Sequence, residues 1–422
     1  MTDLLWPGDS RAGELASDAA VLAALVRVEA AWLAALHKHG MAGAAAAPSA
    51  TAEPSATAAP SATAAPSATA EPSAAAELHG LVGPADLPEL ARDAEGGGNP
   101  VIPLLALLRE RLDERDPAAA KVLHAGLTSQ DVLDTALALM LRDAAARLRD
   151  DLAAQISALA TLADRHRGTP MAGRTLTQHA VPITFGLKAA GWLHGVLGAR
   201  DALVAAADLP AQFGGAAGSL AAPVALAGSV ERARALVATA AQILGLPVRE
   251  PWHTARAPFT RFADALVTAT DAWGRIANDV LLAARPEVGE LSGGRGGSST
   301  MPNKQNPVLA VLIRRAALAG PPLAATLHTA AADVVDERPD GSWHVEWATL
   351  RTLARRTVVA GSQTAELLKG LRVDAGRMAA TLAAARPGID AEQRKMAATG
   401  PYRGATDEII DALLARAEEK PC

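Results

Sequence analysis

The chain has 422 residues and a formal net charge of −5; half of it is hydrophobic, but only 3% is aromatic. That balance excludes general affinity for nucleic acid, and an apolar share dominated by alanine favours closely packed helices. The single cysteine, Cys422, excludes an internal disulfide and a thiolate metal cage. No charged-then-apolar leader opens the chain, and no run of about 18 apolar residues is free of charge. A soluble cytoplasmic protein without a membrane partner is therefore expected, long enough for two or three domains.

In chain order, the first predicted element is a helix from Ser17 to about His39, stopped by Gly40. A repeat over 47–77 follows, with proline at every sixth residue from Pro48 to Pro72. Its side chains are too small to offset ordering entropy, so it is expected to be disordered. The simplest reading is a repeat expanded inside a tolerant loop. Residues 131–165 lack proline and glycine and read as one long helix. A further helix spans 259 to about 284. Asp264, Asp271, Arg275 and Asp279 share one face of it, and Leu266, Trp273, Ala277 and Val280 the other. Another runs from about 343 to 371 with Trp343, Trp347, Leu350 and Ala354 on one stripe. No convincing series of alternating strands is visible. The expected fold is all-α: an N-terminal helical domain (1–125), a central bundle of long helices (126–350) and a C-terminal helical domain (351–422).

Several connecting stretches carry more chemistry than a connector needs. "HAGLTSQDVLDTA" (124–136) puts Thr128, Ser129, Gln130 and Asp131 at the start of a long helix. Threonine with an acid three residues later is a capping signature, and a helix N-terminus also binds anions through its free N–H groups. "AGRTLTQHAVPITFG" (172–186) sets Arg174, Thr175 and Gln178 before an apolar helix; His179, with no visible partner, reads as structural. "PWHTAR" (251–256) and "DERPDGSWHVEW" (336–347) are weaker signals, in which Trp252, His253, Glu337 and Arg338 could line a polar pocket. "GGRGGSSTMPNKQNP" (293–307) lacks the glycine before lysine of a phosphate loop and the third glycine of a dinucleotide turn. It reads instead as a mobile lid that brings a hydroxyl, Ser298 or Ser299, to a substrate, with Lys304 and Asn306 holding an anion. No metal-ligand spacing and no G-x-S-x-G elbow is present. No metal or cofactor is expected.

Taken together, "TSQDVLDTA", "GRTLTQ" and "GGSSTMPNKQNP" resemble, in order, the three active-site segments of the fumarase/aspartase superfamily. "GGGNPVIPLL", "QFGGAAGSLAA", "PWHTAR", "EVGEL" and "WHVEWATL" are similar to the bacterial 3-carboxy-cis,cis-muconate cycloisomerase family within it. That resemblance implies a helical homotetramer whose active sites each draw on three subunits. It implies interconversion of 3-carboxy-cis,cis-muconate and a carboxymuconolactone, in protocatechuate breakdown by the β-ketoadipate pathway. It casts Ser298 as the proton carrier, with Ser299 as the alternative. It assigns Thr128, Ser129, Gln130, Thr175, Gln178, Lys304, Asn306 and Arg338 to the polycarboxylate substrate. The chain departs from nearer relatives at Asn303 and Gln305 of the lid. It also has Leu176 where many superfamily members, though not the cycloisomerases, carry histidine. A β-elimination lyase on another substituted succinate, of adenylosuccinate or nitrosuccinate type, is the alternative. A non-catalytic structural homologue is disfavoured by Ser298, Lys304 and Asn306 occurring together.

Overall fold

A computed structural model describes residues 3–41, 78–297, 300–301, 304–395 and 403–419. The disorder expected for the 47–77 repeat, and the roles expected for Ser298 and Ser299, fall outside the described residues.

The helices are α1 (Asp18–Lys38), α2 (Leu87–Gly97), α3 (Val101–Asp113), α4 (Pro117–Val122), α5 (Ser129–Arg165), α6 (Phe185–Ala206), α7 (Ala221–Ala227) and α8 (Val230–Leu244). They continue as α9 (Ala257–Ala283), α10 (Val308–Ala332), α11 (Gly341–Lys369), α12 (Ala375–Lys395) and α13 (Thr406–Glu418). The architecture is all-α. α5, α6, α9, α10 and α11 pack side by side as the central bundle, and α1 lies against α5 and α8. α5 alone has 37 residues, about 55 Å of rise. α11 is continuous through residues 350 and 351, so it carries the bundle across the division expected there.

The apolar stripes read from the sequence face the core. Leu266, Trp273, Ala277 and Val280 of α9 are buried, as are Trp343, Leu350 and Ala354 of α11. In mid-bundle the Trp273 indole N–H donates to Gln155 Oε1 at 2.7 Å, and Gln155 Nε2 donates to the Gly361 carbonyl at 2.9 Å. These two bonds satisfy buried polar groups on three helices at once.

A sheet element was not expected. β1 (Pro170–Thr175) and β2 (Gln178–Thr184) form an antiparallel hairpin closed by Leu176 and Thr177, both at positive φ. Two-residue hairpin turns usually carry asparagine and glycine, and this one does not advertise itself. Three shorter strands, β3 (Leu291–Ser292), β4 (Arg295–Gly296) and β5 (Asn306–Pro307), frame the glycine-rich loop; β4 pairs with β5, and β3 pairs with β6 (Arg372–Val373).

The ends of α5, α9 and α11 meet on one buried cation. Arg256, just before α9, donates to both carboxylate oxygens of Asp134 at 2.7 and 3.1 Å. Its Nε donates to Glu346 Oε1 at 3.0 Å. Asp134 also accepts from the Trp343 indole at 2.9 Å and from Gln130 Nε2 at 3.2 Å. The guanidinium lies 4.9 Å from the Trp252 ring centroid and 5.1 Å from that of Phe259. Burial pushes the Glu346 carboxyl up, against the pull of Arg256. Replacing the cation strands two buried carboxylates. Arg256→Leu is therefore expected to cost about 3–5 kcal/mol in urea unfolding; a loss below about 1 kcal/mol would contradict the role given to this cluster.

Candidate active site

The first group of candidate residues gathers at the N-terminus of α5. Thr128 is the N-cap, in extended conformation, and its N–H donates to Asp131 Oδ2 at 3.0 Å. Its hydroxyl accepts from Arg338 Nη1 at 3.1 Å, and the Arg338 guanidinium lies 5.2 Å from the Trp343 ring centroid. A cation is thus fixed beside free helix N–H groups, which suits a carboxylate. Ser129 is buried in the first turn. Gln130 is fully buried, with its amide on Asp134 and on the His253 carbonyl at 2.9 Å. It braces the Arg256 cluster and does not face an open surface.

Asp131 holds a second loop against this helix start. Its carboxylate accepts from the N–H groups of Gly214 at 2.7 Å and Gly215 at 3.0 Å, and from Gln212 Nε2 at 3.3 Å. Burial pushes the Asp131 carboxyl up to about 7, against the pull of these donors and of Thr128. A Cβ on Gly214 would stand 2.5 Å from His253 Cε1, so only glycine fits there. Trp252 and His253, read as pocket-lining, are core residues. Trp252 N–H donates to Gln212 Oε1 at 2.7 Å, which orients the Gln212 amide so that Nε2 meets His253 Nδ1 at 2.7 Å. Burial holds the His253 imidazole below its ordinary pKa.

One residue that the sequence reading passed over stands out. His124 opens the first motif with φ 66°, and its Nδ1 lies 2.7 Å from Oε1 of the fully buried Glu29. That contact orients the ring and directs Nε2 away from Glu29. The partner is 95 positions upstream on α1, a separation that no motif spacing reveals.

The second group lies elsewhere. Thr175 and Gln178 are register partners at the hairpin tip, both exposed, beside Leu176 at 96% exposure. Arg174 forms a bidentate ion pair with buried Glu290, at 2.9 and 2.8 Å, which ties the hairpin to the root of the glycine-rich loop. In that loop Lys304 is exposed. Asn306 Nδ2 donates to the Gly297 carbonyl at 3.1 Å, so its amide braces the β4–β5 neck. The catalytic candidate Ser298 is outside the described residues.

One chain does not unite the two groups. The hairpin springs from the far end of α5, where Phe185 and Gly186 N–H groups donate to Thr169 and His166 carbonyls. That end is about 55 Å along the helix from Thr128, and a six-residue strand folded back recovers only about 20 Å.

The profile of a family described as "Lyase" matches residues 98–319. The chain is 42% identical over 315 residues to a 3-carboxy-cis,cis-muconate cycloisomerase of Bradyrhizobium diazoefficiens, across 73% of this chain and 68% of that one. It belongs to the fumarase/aspartase superfamily of lyases. It is 48% identical over 305 residues to a nitrosuccinate lyase of Streptomyces davaonensis, across 70% of this chain and 64%, less than two thirds, of that relative. The solved 3-carboxy-cis,cis-muconate lactonizing enzyme of Pseudomonas putida superposes with a TM-score of 0.78 at 31% identity, covering 96% of this chain and 85% of that one. In this member of the family the Asp131 carboxylate is the joint between the α5 start and the loop at Gly214 and Gly215. Asp131→Asn turns an N–H group toward backbone donors and is expected to lower unfolding free energy by about 2–4 kcal/mol. Thermal unfolding by circular dichroism measures it; an unchanged midpoint would contradict the joint.

Proposed function

We propose that the enzyme is a cycloisomerase interconverting 3-carboxy-cis,cis-muconate and carboxymuconolactone, working as a cytoplasmic homotetramer. The observation that carries this reading is Arg338 held at the N-terminus of α5, in a chain 42% identical to a cycloisomerase. In lactonisation a carboxylate oxygen adds to a C=C bond. The neighbouring carbon, next to another carboxylate, gains a proton, and negative charge builds on that carboxylate in an enolate-like state. Donors aimed at it lower the barrier, each by a few kcal/mol. Thr128, Ser129 and Arg338 serve from one chain; Thr175, Gln178 and Lys304 serve from others. Ser298 moves the proton, and His124, oriented by Glu29, is the second acid–base candidate. Asn306 and Gln130 act indirectly, by holding the loop neck and the buried cluster. The separation of the two groups supports a site shared between copies, and exposed Val311 and Leu318 on α10 supply apolar surface for association.

The 48% identity to a nitrosuccinate lyase favours a second reading, β-elimination from a substituted succinate. Both reactions pass through a carbanion stabilised beside a carboxylate, and Asn303 and Gln305 are where the lid departs from nearer relatives. Loss of diene absorbance on adding 3-carboxymuconate is expected, and Ser298→Ala should lower its rate by about 10²–10⁴-fold without altering the fold. Nitrite release from nitrosuccinate with no loss of diene absorbance would overturn the cycloisomerase in favour of the second reading.

The shared site has its own test. Ser298→Ala and Arg338→Ala chains, each inactive alone, should recover a fraction of wild-type activity when co-assembled. No recovery in mixed tetramers, or a monomer by light scattering at micromolar concentration, would sink it.

A further inference from the structure

A cavity of about 580 Å³ lies within the chain under the hairpin. The hairpin register keeps it apart from the surface assigned to the substrate. Arg174 and His179 are cross-strand partners and both line the cavity; Thr175 and Gln178, the next pair, belong to the opposite face of the ribbon. None of the reaction chemistry above uses the enclosed side.

Its charges do not cancel. Asp279 Oδ2 accepts from the Trp192 indole at 2.8 Å and lies 3.4 Å from Lys188 Nζ and 3.3 Å from Arg275 Nη2. One carboxylate therefore faces two cations. Arg174 is fully occupied by Glu290. Arg285 and Glu287 on the rim add one charge of each sign, and neither enters an ion pair among the described residues. One positive charge is left over beside walls made by Met171, Phe185, Leu282, Leu291 and Met378. A space of this size, with charged groups gathered beside apolar walls, is large enough for a small molecule.

We infer that the cavity binds a small monocarboxylate with an apolar body. Its carboxylate sits between Lys188 and Arg275, and its body lies against the methionine, phenylalanine and leucine walls. The bound molecule braces the hairpin from beneath. Because Glu290 links Arg174 to the root of β3, with its N–H on the Ala283 carbonyl at 2.9 Å, it braces the start of the glycine-rich loop as well.

Isothermal titration of the full chain with benzoate tests this, with benzamide as the neutral isostere. Benzoate should bind and benzamide should bind at least tenfold more weakly. Lys188→Met should weaken benzoate at least tenfold, and Lys304→Ala, on the exposed loop, should leave it unchanged. Leu282→Trp, which fills the cavity from its partly exposed rim, should give the same tenfold loss, and it decides the matter if Lys188→Met does not fold. No benzoate binding up to tens of millimolar, equal binding of benzamide, or binding lost in Lys304→Ala but kept in Leu282→Trp would each overturn the inference.

Discussion

The buried guanidinium of Arg256 sets the geometry of one end of this molecule. Three long helices converge there, and each supplies either the cation or one of its two carboxylates. Helix packing alone tolerates sliding by a fraction of a turn; a bidentate ion pair does not, because its donors are in a rigid plane. Buried charge contributes little net stability, since desolvation offsets most of the attraction. What it fixes here is register. Trp343 carries that register to the surface, with its indole N–H on Asp134 and its ring under Arg338. Arg338 at the α5 N-terminus is therefore placed by the cation buried behind it.

The second constraint is the length of α5. A straight 37-residue helix keeps its two ends about 55 Å apart, so the groups at those ends cannot meet on one small molecule within a chain. On the proposed reading, the bundle that makes the helix rigid also makes a single chain incomplete as a catalyst. The apolar side chains left on α10 fit the same picture, because a helix near the centre of a bundle has no reason to expose leucine unless something covers it.

Much of the helical framework was legible from the sequence. α1, α5, α9 and α11 lie within about two residues of their expected ends, because apolar periodicity, the Ser17 cap and the Thr128–Asp131 pair are local signals. What stayed hidden was direction and distance. Gln130 and Asn306 have the chemistry of ligand donors, yet one faces inward to Asp134 and the other bonds its own loop. Nothing in a motif states which way an amide points. Glu29 meets His124 across 95 residues, and Asp131 meets Gly214 across 83. The hairpin escaped notice because Leu176 and Thr177 are poor predictors of a turn that forces both to positive φ.

That turn shows why an unfavourable local choice persists. Holding two residues with side chains in the left-handed region costs about 1–2 kcal/mol each. The β1–β2 ladder and the Arg174–Glu290 pair offset the cost from outside the turn. A longer glycine loop would relieve it, but would also uncouple the positions on either side. With only two residues between them, Thr175 and Gln178 remain register partners and emerge from the same face of the ribbon. The strain at the tip is thus the condition for presenting two polar side chains as a rigid pair, at the end of a helix long enough to carry them away from their own chain's Arg338.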